Sequence, residues 1–355
     1  MTLFDQPPLL IFVGSGGVGK TTLAAAMGLR SAQRGHRTLV MTFDPSLRLK
    51  DTLGVGDAAR RGEVRVACDA PGELHAALLD ARETFDRLVT RYAPDESARK
   101  RILGNRFYHH LAGQLGGVLE YMAVERLFEV ASERRYERIV LDTPPTRQAL
   151  DFLEAPQRIV SFLDSGALKI ALRPWFDAEG RLRATRRFGL LGRGLEGFLD
   201  RVIGLGLLRD MAEFFQAFGP LFEGFRERAR QVEELLRSPR ARFVLVSGPG
   251  EERIPDTMFF ARRLDEAGYH LGPVIVNRVH PSLNAGSTDD PFERSESSDA
   301  FRLLHWLGER DRRGLEQIRA LLSGKRLAAV PLLPRAPATV ESLEQVGRLL
   351  EEKLA

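Results

Sequence analysis

Leu9-Leu10-Ile11-Phe12-Val13-Gly14-Ser15-Gly16-Gly17-Val18-Gly19-Lys20-Thr21-Thr22 is the stretch that decides the fold. Its first five residues are uniformly apolar, as in a parallel strand buried on both faces. Gly14-x-x-x-x-Gly19-Lys20-Thr21 follows, and from Lys20 to Arg34 the pattern is helical. Strand, glycine-rich loop and helix in that order give this spacing the context of a phosphate loop. The glycines let backbone N–H groups turn inward around phosphate oxygens, and the helix N-terminus adds partial positive charge. Lys20 supplies a cation for the β- and γ-phosphates, and the Thr21 hydroxyl supplies a magnesium ligand. The loop therefore predicts binding of ATP with Mg2+, and its hydrolysis.

Outward from the loop, short apolar runs recur at Thr38 to Phe43, Arg138 to Leu141, Arg242 to Val246, Pro273 to Val276 and Leu327 to Pro331. Helical patterns lie at Gly72 to Tyr92, Leu119 to Arg134, Asp256 to Ala267, Leu315 to Ser323 and Thr339 to Leu354. This alternation predicts an α/β fold, a P-loop NTPase with a mostly parallel, doubly wound sheet. Two stretches break it, rich in helical signals and poor in strand signals. They predict an inserted helical subdomain at about 72–134 and 156–237, beside a core at about 1–71, 135–155 and 238–355. The whole chain, 1–355, then reads as a single ATPase domain. Pro281 to Ser298 is polar and is expected to be a surface loop. The last helix has an apolar stripe at Val340, Leu343, Val346, Leu350 and Leu354. Its polar face carries four Glu, one Arg and one Lys, so a docking helix is expected rather than a membrane-surface one.

Two acids close strands. Asp142 ends Ile139-Val140-Leu141 and is followed by Thr143-Pro144-Pro145-Thr146. In P-loop enzymes a carboxylate there holds the magnesium, usually through water, and a proline turn suits a segment that senses the γ-phosphate. Asp44 ends Val40-Met41-Thr42-Phe43, 24 residues after Lys20, and leads into Pro45. It either orients the attacking water at the metal or caps the next turn.

Composition narrows the remaining classes. The 355 residues are 43% hydrophobic with a net charge of +4. Basic and acidic side chains are interspersed, so no nucleic-acid partner is expected. Cys68 is the single cysteine, which excludes an internal disulfide and a multi-thiolate metal site. In Val64-Arg65-Val66-Ala67-Cys68 it is expected to be a buried small residue. The apolar region Phe188 to Phe225 is interrupted by charges and falls short of the roughly 18 apolar residues of a membrane span. Met1 to Pro8 lacks the basic start of a signal peptide, so a soluble, cytoplasmic protein is expected. His109 and His110 are adjacent on a helical pattern and point in different directions, which argues against a shared metal.

Together the three segments make the sequence resemble the ATPase family of arsenical pump-driving and tail-anchored-protein targeting ATPases. Gly14 to Thr22 resembles the family's phosphate loop. Asp44-Pro45-Ser46-Leu47-Arg48-Leu49-Lys50-Asp51 resembles its first switch, and Asp142 to Leu153 its second. Val274-Ile275-Val276-Asn277-Arg278 resembles the strand whose Asn contacts adenine, and Val330-Pro331-Leu332-Leu333-Pro334 the loop closing over the base. The resemblance, which runs from residue 10 to about 345, implies a nucleotide-gated dimer in which Asp44 positions water.

Three departures qualify what the resemblance implies. Ser15 stands where the family has a lysine that reaches the partner's phosphates, so slow hydrolysis or a lysine-bearing partner subunit is implied. Arg147 is either a substitute cation or a surface arginine. The cysteines that bind zinc or arsenite in family members are absent. One P-loop half implies a homodimer, or a heterodimer with a paralogue. Phe198, Val202, Leu205, Leu208, Met211 and Phe215, continued by Phe218, Leu221, Phe222 and Phe225, form either helix core or a groove for a hydrophobic protein client. An ATP-dependent scaffold or regulatory subunit that barely hydrolyses ATP is the alternative function, and a positioning ATPase is a third.

Overall fold

The computed structural model describes residues 3–43, 48–109, 118–144, 147–164, 205–282 and 299–354. They form two compact units, Met1–Leu79 with Val130–Leu150 and Leu235–Ala355, and Asp80–Glu129 with Asp151–Glu234.

The first unit is built on an eight-stranded sheet. The strands are β1 (Leu9–Gly14), β2 (Arg37–Thr42), β3 (Val64–Arg65), β4 (Glu73–Leu78), β5 (Arg138–Asp142), β6 (Ala241–Ser247), β7 (Leu271–Val279) and β8 (Leu327–Pro331). Their order is β3-β4-β2-β5-β1-β6-β7-β8. Every pairing is parallel except β3 with β4. The α/β fold with a mostly parallel sheet is therefore observed. All six strands expected from apolar runs are present.

Helix α1 (Lys20–Gln33) starts directly from the loop after β1 and buries Leu23, Ala24, Ala25, Met27 and Leu29 against the sheet. Its small residues allow close approach. The C-terminal helix α2 (Val340–Leu354) packs on it with Leu343, Val346, Leu350 and Leu354 of the expected apolar stripe buried and Val340 half-buried. Arg30 of α1 and Arg34 just after it pair with Glu351 along that seam. The docking surface for this helix is thus within its own unit.

One expectation is corrected. Gly72 to Tyr92 is not one helix: Glu73–Leu78 is β4, and helix α3 begins only at Ala81, running to Tyr92. Residues 73–78 have no β-branched side chain, and pairing with β2 overrides their weak strand propensity. A second helix is longer than expected. Asp299–Leu321, α4, covers the expected Leu315 to Ser323 segment as far as Leu321 but starts sixteen residues earlier. Residues 283–298 of the expected surface loop lie outside the described residues.

The described residues of the second unit are mainly helical. Phe85, Leu88, Ile102, Tyr108, Tyr121, Phe214, Phe218, Leu221 and Phe225 form its core. Phe214 and Phe218 stack with ring centroids 5.2 Å apart, and Phe218 lies 4.9 Å from Phe225. Phe218, Leu221 and Phe225 of the predicted stripe are therefore helix core in this state. Phe198 and Val202 lie outside the described residues, as do the side chains of Leu205 and Leu208. No helix among the described residues is long and apolar enough to cross a membrane.

Candidate nucleotide-binding site

The C-terminal ends of parallel strands in an open sheet are where such folds hold ligands. Here the ends of β1, β2, β5, β7 and β8 carry Gly14, Thr42, Asp142, Asn277 and Pro331. The loop from Gly14 to Gly19 leaves β1 against the neighbouring strand. Gly14 has φ 148°, and a Cβ there would lie 2.0 Å from the Val246 carbonyl oxygen. Gly19 has φ 89°, and a Cβ on it would lie 2.4 Å from Asn277 Nδ2. Backbone contact excludes a side chain at Gly14, and a positive φ with Asn277 close by makes any other residue strained at Gly19. Val18 anchors the middle of the loop in the core.

Lys20, in the first turn of α1, is buried. Its Nζ donates to the carbonyls of Gly14 (3.1 Å) and Ser15 (3.0 Å). The ammonium group is thus folded back over the loop that a phosphate would occupy. Ser15 is itself buried, and Thr22 is half-buried.

The next residue, Thr21, reaches across to β5. Its Oγ1 donates to Asp142 Oδ2 at 2.7 Å, and Thr42 Oγ1 donates to the same oxygen at 2.9 Å. Strand register explains the convergence, since Asp142 lies opposite Thr42 on one side and Phe12 on the other. Asp142 has no solvent exposure. Thr143 continues the strand with its Oγ1 on the Phe12 carbonyl at 2.7 Å, fixing where the second switch segment leaves the sheet. The Thr21 hydroxyl and the Asp142 carboxylate that meet here are hard oxygen ligands of the kind magnesium takes alongside phosphates. The described residues contain no cluster of three or more His, Cys, Asp or Glu side chains able to hold a metal. One hydroxyl and one carboxylate fit a metal that takes its remaining ligands from phosphates and water.

Asn277 lies on β7. Its Nδ2 donates to the Val18 carbonyl at 2.8 Å, so the residue expected at the base also braces the loop. Pro331 ends β8 opposite Val279, and Leu332 N–H donates to the Val279 carbonyl at 2.9 Å. Residue Arg278 carried no role in the sequence reading, yet its Nη1 donates to the Gly17 carbonyl at 2.9 Å. Nothing in the local pattern announces it; only its place beside Asn277 offered a hint.

Several candidates fall elsewhere. Asp44, Pro45, Ser46 and Leu47 lie outside the described residues, as do Pro145, Thr146 and His110. Arg147 opens a helix, Arg147–Asp164, whose first side chains are outside the description. His109 is exposed, with Nδ1 3.3 Å from an Arg82 nitrogen. Cys68 is half-buried rather than buried, packed at the margin of the sheet unit's core. That partial burial lifts its thiol above the ordinary value.

Comparison with known proteins agrees with this geometry. Residues 8–181 match the family described as anion-transporting ATPase. The chain is 24% identical to a putative arsenical pump-driving ATPase 1 of Aquifex aeolicus, over 96% of this chain and 78% of that one. It is 27% identical to ATPase GET3B of Arabidopsis thaliana, over 95% and 77%, respectively. It is 24% identical to ATPase GET3C of the same plant, over 99% and 84%.

Proposed function

With residues 8–181 of the anion-transporting ATPase family as the premise, we propose that this chain is a magnesium-dependent ATPase. In this reading hydrolysis drives a conformational change in a cytoplasmic dimer that acts on a hydrophobic protein client. The observation that carries it is the shared carboxylate oxygen: Thr21 and Thr42 both donate to Asp142 Oδ2, while the Lys20 ammonium lies over the loop on the Gly14 and Ser15 carbonyls.

Magnesium-ATP, when bound, supplies the γ-phosphoryl group and a Lewis acid. The protein's part is to position and to neutralise. Backbone amides from Gly14 to Thr22 and the α1 N-terminus face the phosphates, and Lys20 leaves its two carbonyl partners for them. Thr21, whose hydroxyl proton is given to Asp142, would offer its oxygen as a ligand to the metal. Asp142 holds that hydroxyl in place and would help to hold the metal, through water. Asp44 orients the attacking water. Asn277 reads the base: with Nδ2 held by the Val18 carbonyl, its Oδ1 is left to accept, which suits the amino group of adenine and opposes the carbonyl of guanine. Pro331 lies on the neighbouring strand end, beside the base.

Ser15 brings no cation, and cations supplied in trans are worth roughly 10³–10⁵ in rate in related enzymes. That residue favours a second reading, an ATP-dependent regulatory or scaffold subunit with little turnover, in a homodimer or beside a lysine-bearing paralogue. Arg147 is the candidate replacement cation in cis. Single-turnover hydrolysis with magnesium, with Asp44→Asn as control, separates the two. Phosphate release by the wild type that the variant loses supports the ATPase. Tight ATP binding with no release supports the scaffold. The mass of the complex with ADP and with a non-hydrolysable ATP analogue tests the dimer.

A further inference from the structure

Arg278 occupies a backbone conformation that arginine rarely adopts, with φ 63°. The chain is pinned on both sides of it. Before it, Asn277 Nδ2 is held by the Val18 carbonyl. After it, the backbone N–H (2.9 Å) and ring Nδ1 (2.7 Å) of His280 both engage Asp311 Oδ2 on α4. Asp311 is fully buried and also takes Arg310 at 2.7 Å. Between the pins, the register of β7 against β8 shifts between Asn277 and Val279. Such a bulge re-aims a side chain, and a strained residue so firmly held points to a use.

The use is not that of a phosphate cation. Arg278 bonds the Gly17 carbonyl, and the N–H of that planar trans peptide points the opposite way. The guanidinium therefore lies on the face of the loop opposite to that N–H. Its Nε is 3.9 Å from where a Cβ on Gly19 would sit, so the group lies across the loop beside Asn277. It is exposed. At the adjoining strand end, Leu332 is also exposed, at 44%. A planar cation stacks on aromatic rings better than a lysine does, and nucleobases are such rings.

We propose that Arg278 is a specificity-determining residue whose guanidinium plane is the platform for the purine base. The proposal rests on the nucleotide-binding reading above. Its test is calorimetric binding of ATP and of inorganic tripolyphosphate, each with magnesium, to wild type, Arg278→Gly and Arg278→Lys. Glycine removes the side chain and is at ease at positive φ, so the fold is not at risk. The expected result is an ATP affinity about tenfold weaker in Arg278→Gly with tripolyphosphate affinity unchanged. Arg278→Lys, which keeps the charge, is expected to recover only part of the ATP affinity. Equal losses for both ligands would reduce Arg278 to a brace for the loop and overturn the proposal, as would no loss for either. A wild type that binds tripolyphosphate but gains nothing from the base overturns it while leaving the phosphate loop intact. A wild type that binds neither ligand overturns the nucleotide reading itself.

Discussion

Thr21 Oγ1 and Asp142 Oδ2 lie 2.7 Å apart although 121 residues separate them in the chain. The contact joins the first turn of α1, reached through the loop after β1, to the end of β5, and the two converge because β5 lies beside β1. A buried carboxylate accepting two hydroxyl protons is held in one orientation before any ligand arrives, which lowers the cost of organising a metal site.

The first prediction concerns that carboxylate. Asp142→Asn keeps an acceptor for Thr21 and Thr42 but removes the charge. The folded state is expected to persist while magnesium ceases to strengthen ATP binding. Calorimetry with and without magnesium checks this, and an undiminished magnesium effect would exclude Asp142 from the metal site.

Gly19→Ala places a methyl group where Asn277 Nδ2 stands, at a positive φ. The strain of a left-handed non-glycine residue is roughly 1–2 kcal/mol, and the clash adds to it. Reduced stability in urea denaturation is expected, with loss of ATP binding. A variant that binds ATP normally would contradict the loop geometry.

Ser15→Lys restores the cation that the family resemblance assigns to this position. Steady-state phosphate release per subunit is expected to rise, by as much as the roughly 10³–10⁵ that such cations contribute elsewhere. Turnover at the wild-type rate would mean that the absent lysine is not what limits hydrolysis.

Asp311 gives a prediction in pH. Burial alone would raise its carboxyl, but the His280 backbone and ring with Arg310 outweigh that and hold it below the ordinary 3.8. A depressed folded pKa means stability that is present above 3.8 and lost as pH falls through the folded value. Asp311→Asn is expected to lower stability at neutral pH and to flatten the acid limb below 3.8. Urea midpoints across that range, for wild type and variant, give the comparison. Parallel curves would show that Asp311 does not contribute to the acid slope.

The places where sequence and structure part have physical causes. Glu73-Leu74-His75-Ala76-Ala77-Leu78 has the composition of a helix, and becomes a strand because β2 on one side and β3 on the other supply its backbone partners. The early turns of α4 were obscured by charge and by Gly308 and Gly314. Those glycines are there for contact: a Cβ would lie 2.4 Å from the Pro281 carbonyl at one and 2.0 Å from the Pro249 carbonyl at the other. The place of Arg278 is not legible in the sequence, because neither a register shift nor a positive φ leaves a trace in local composition.

By itself the sequence determined the order of strand, loop and helix around Gly14 to Thr22, and the apolar runs that became β1, β2, β5, β6, β7 and β8. These are local matters, decided by glycine sterics, helix termini and the period of burial. Only the tertiary structure decided that Asp142 receives Thr21 and Thr42 together, and that Asn277 and Arg278 hold the carbonyls of Val18 and Gly17. Those meetings depend on which strands lie side by side and in what register. That choice belongs to the whole sheet and to no single segment of it.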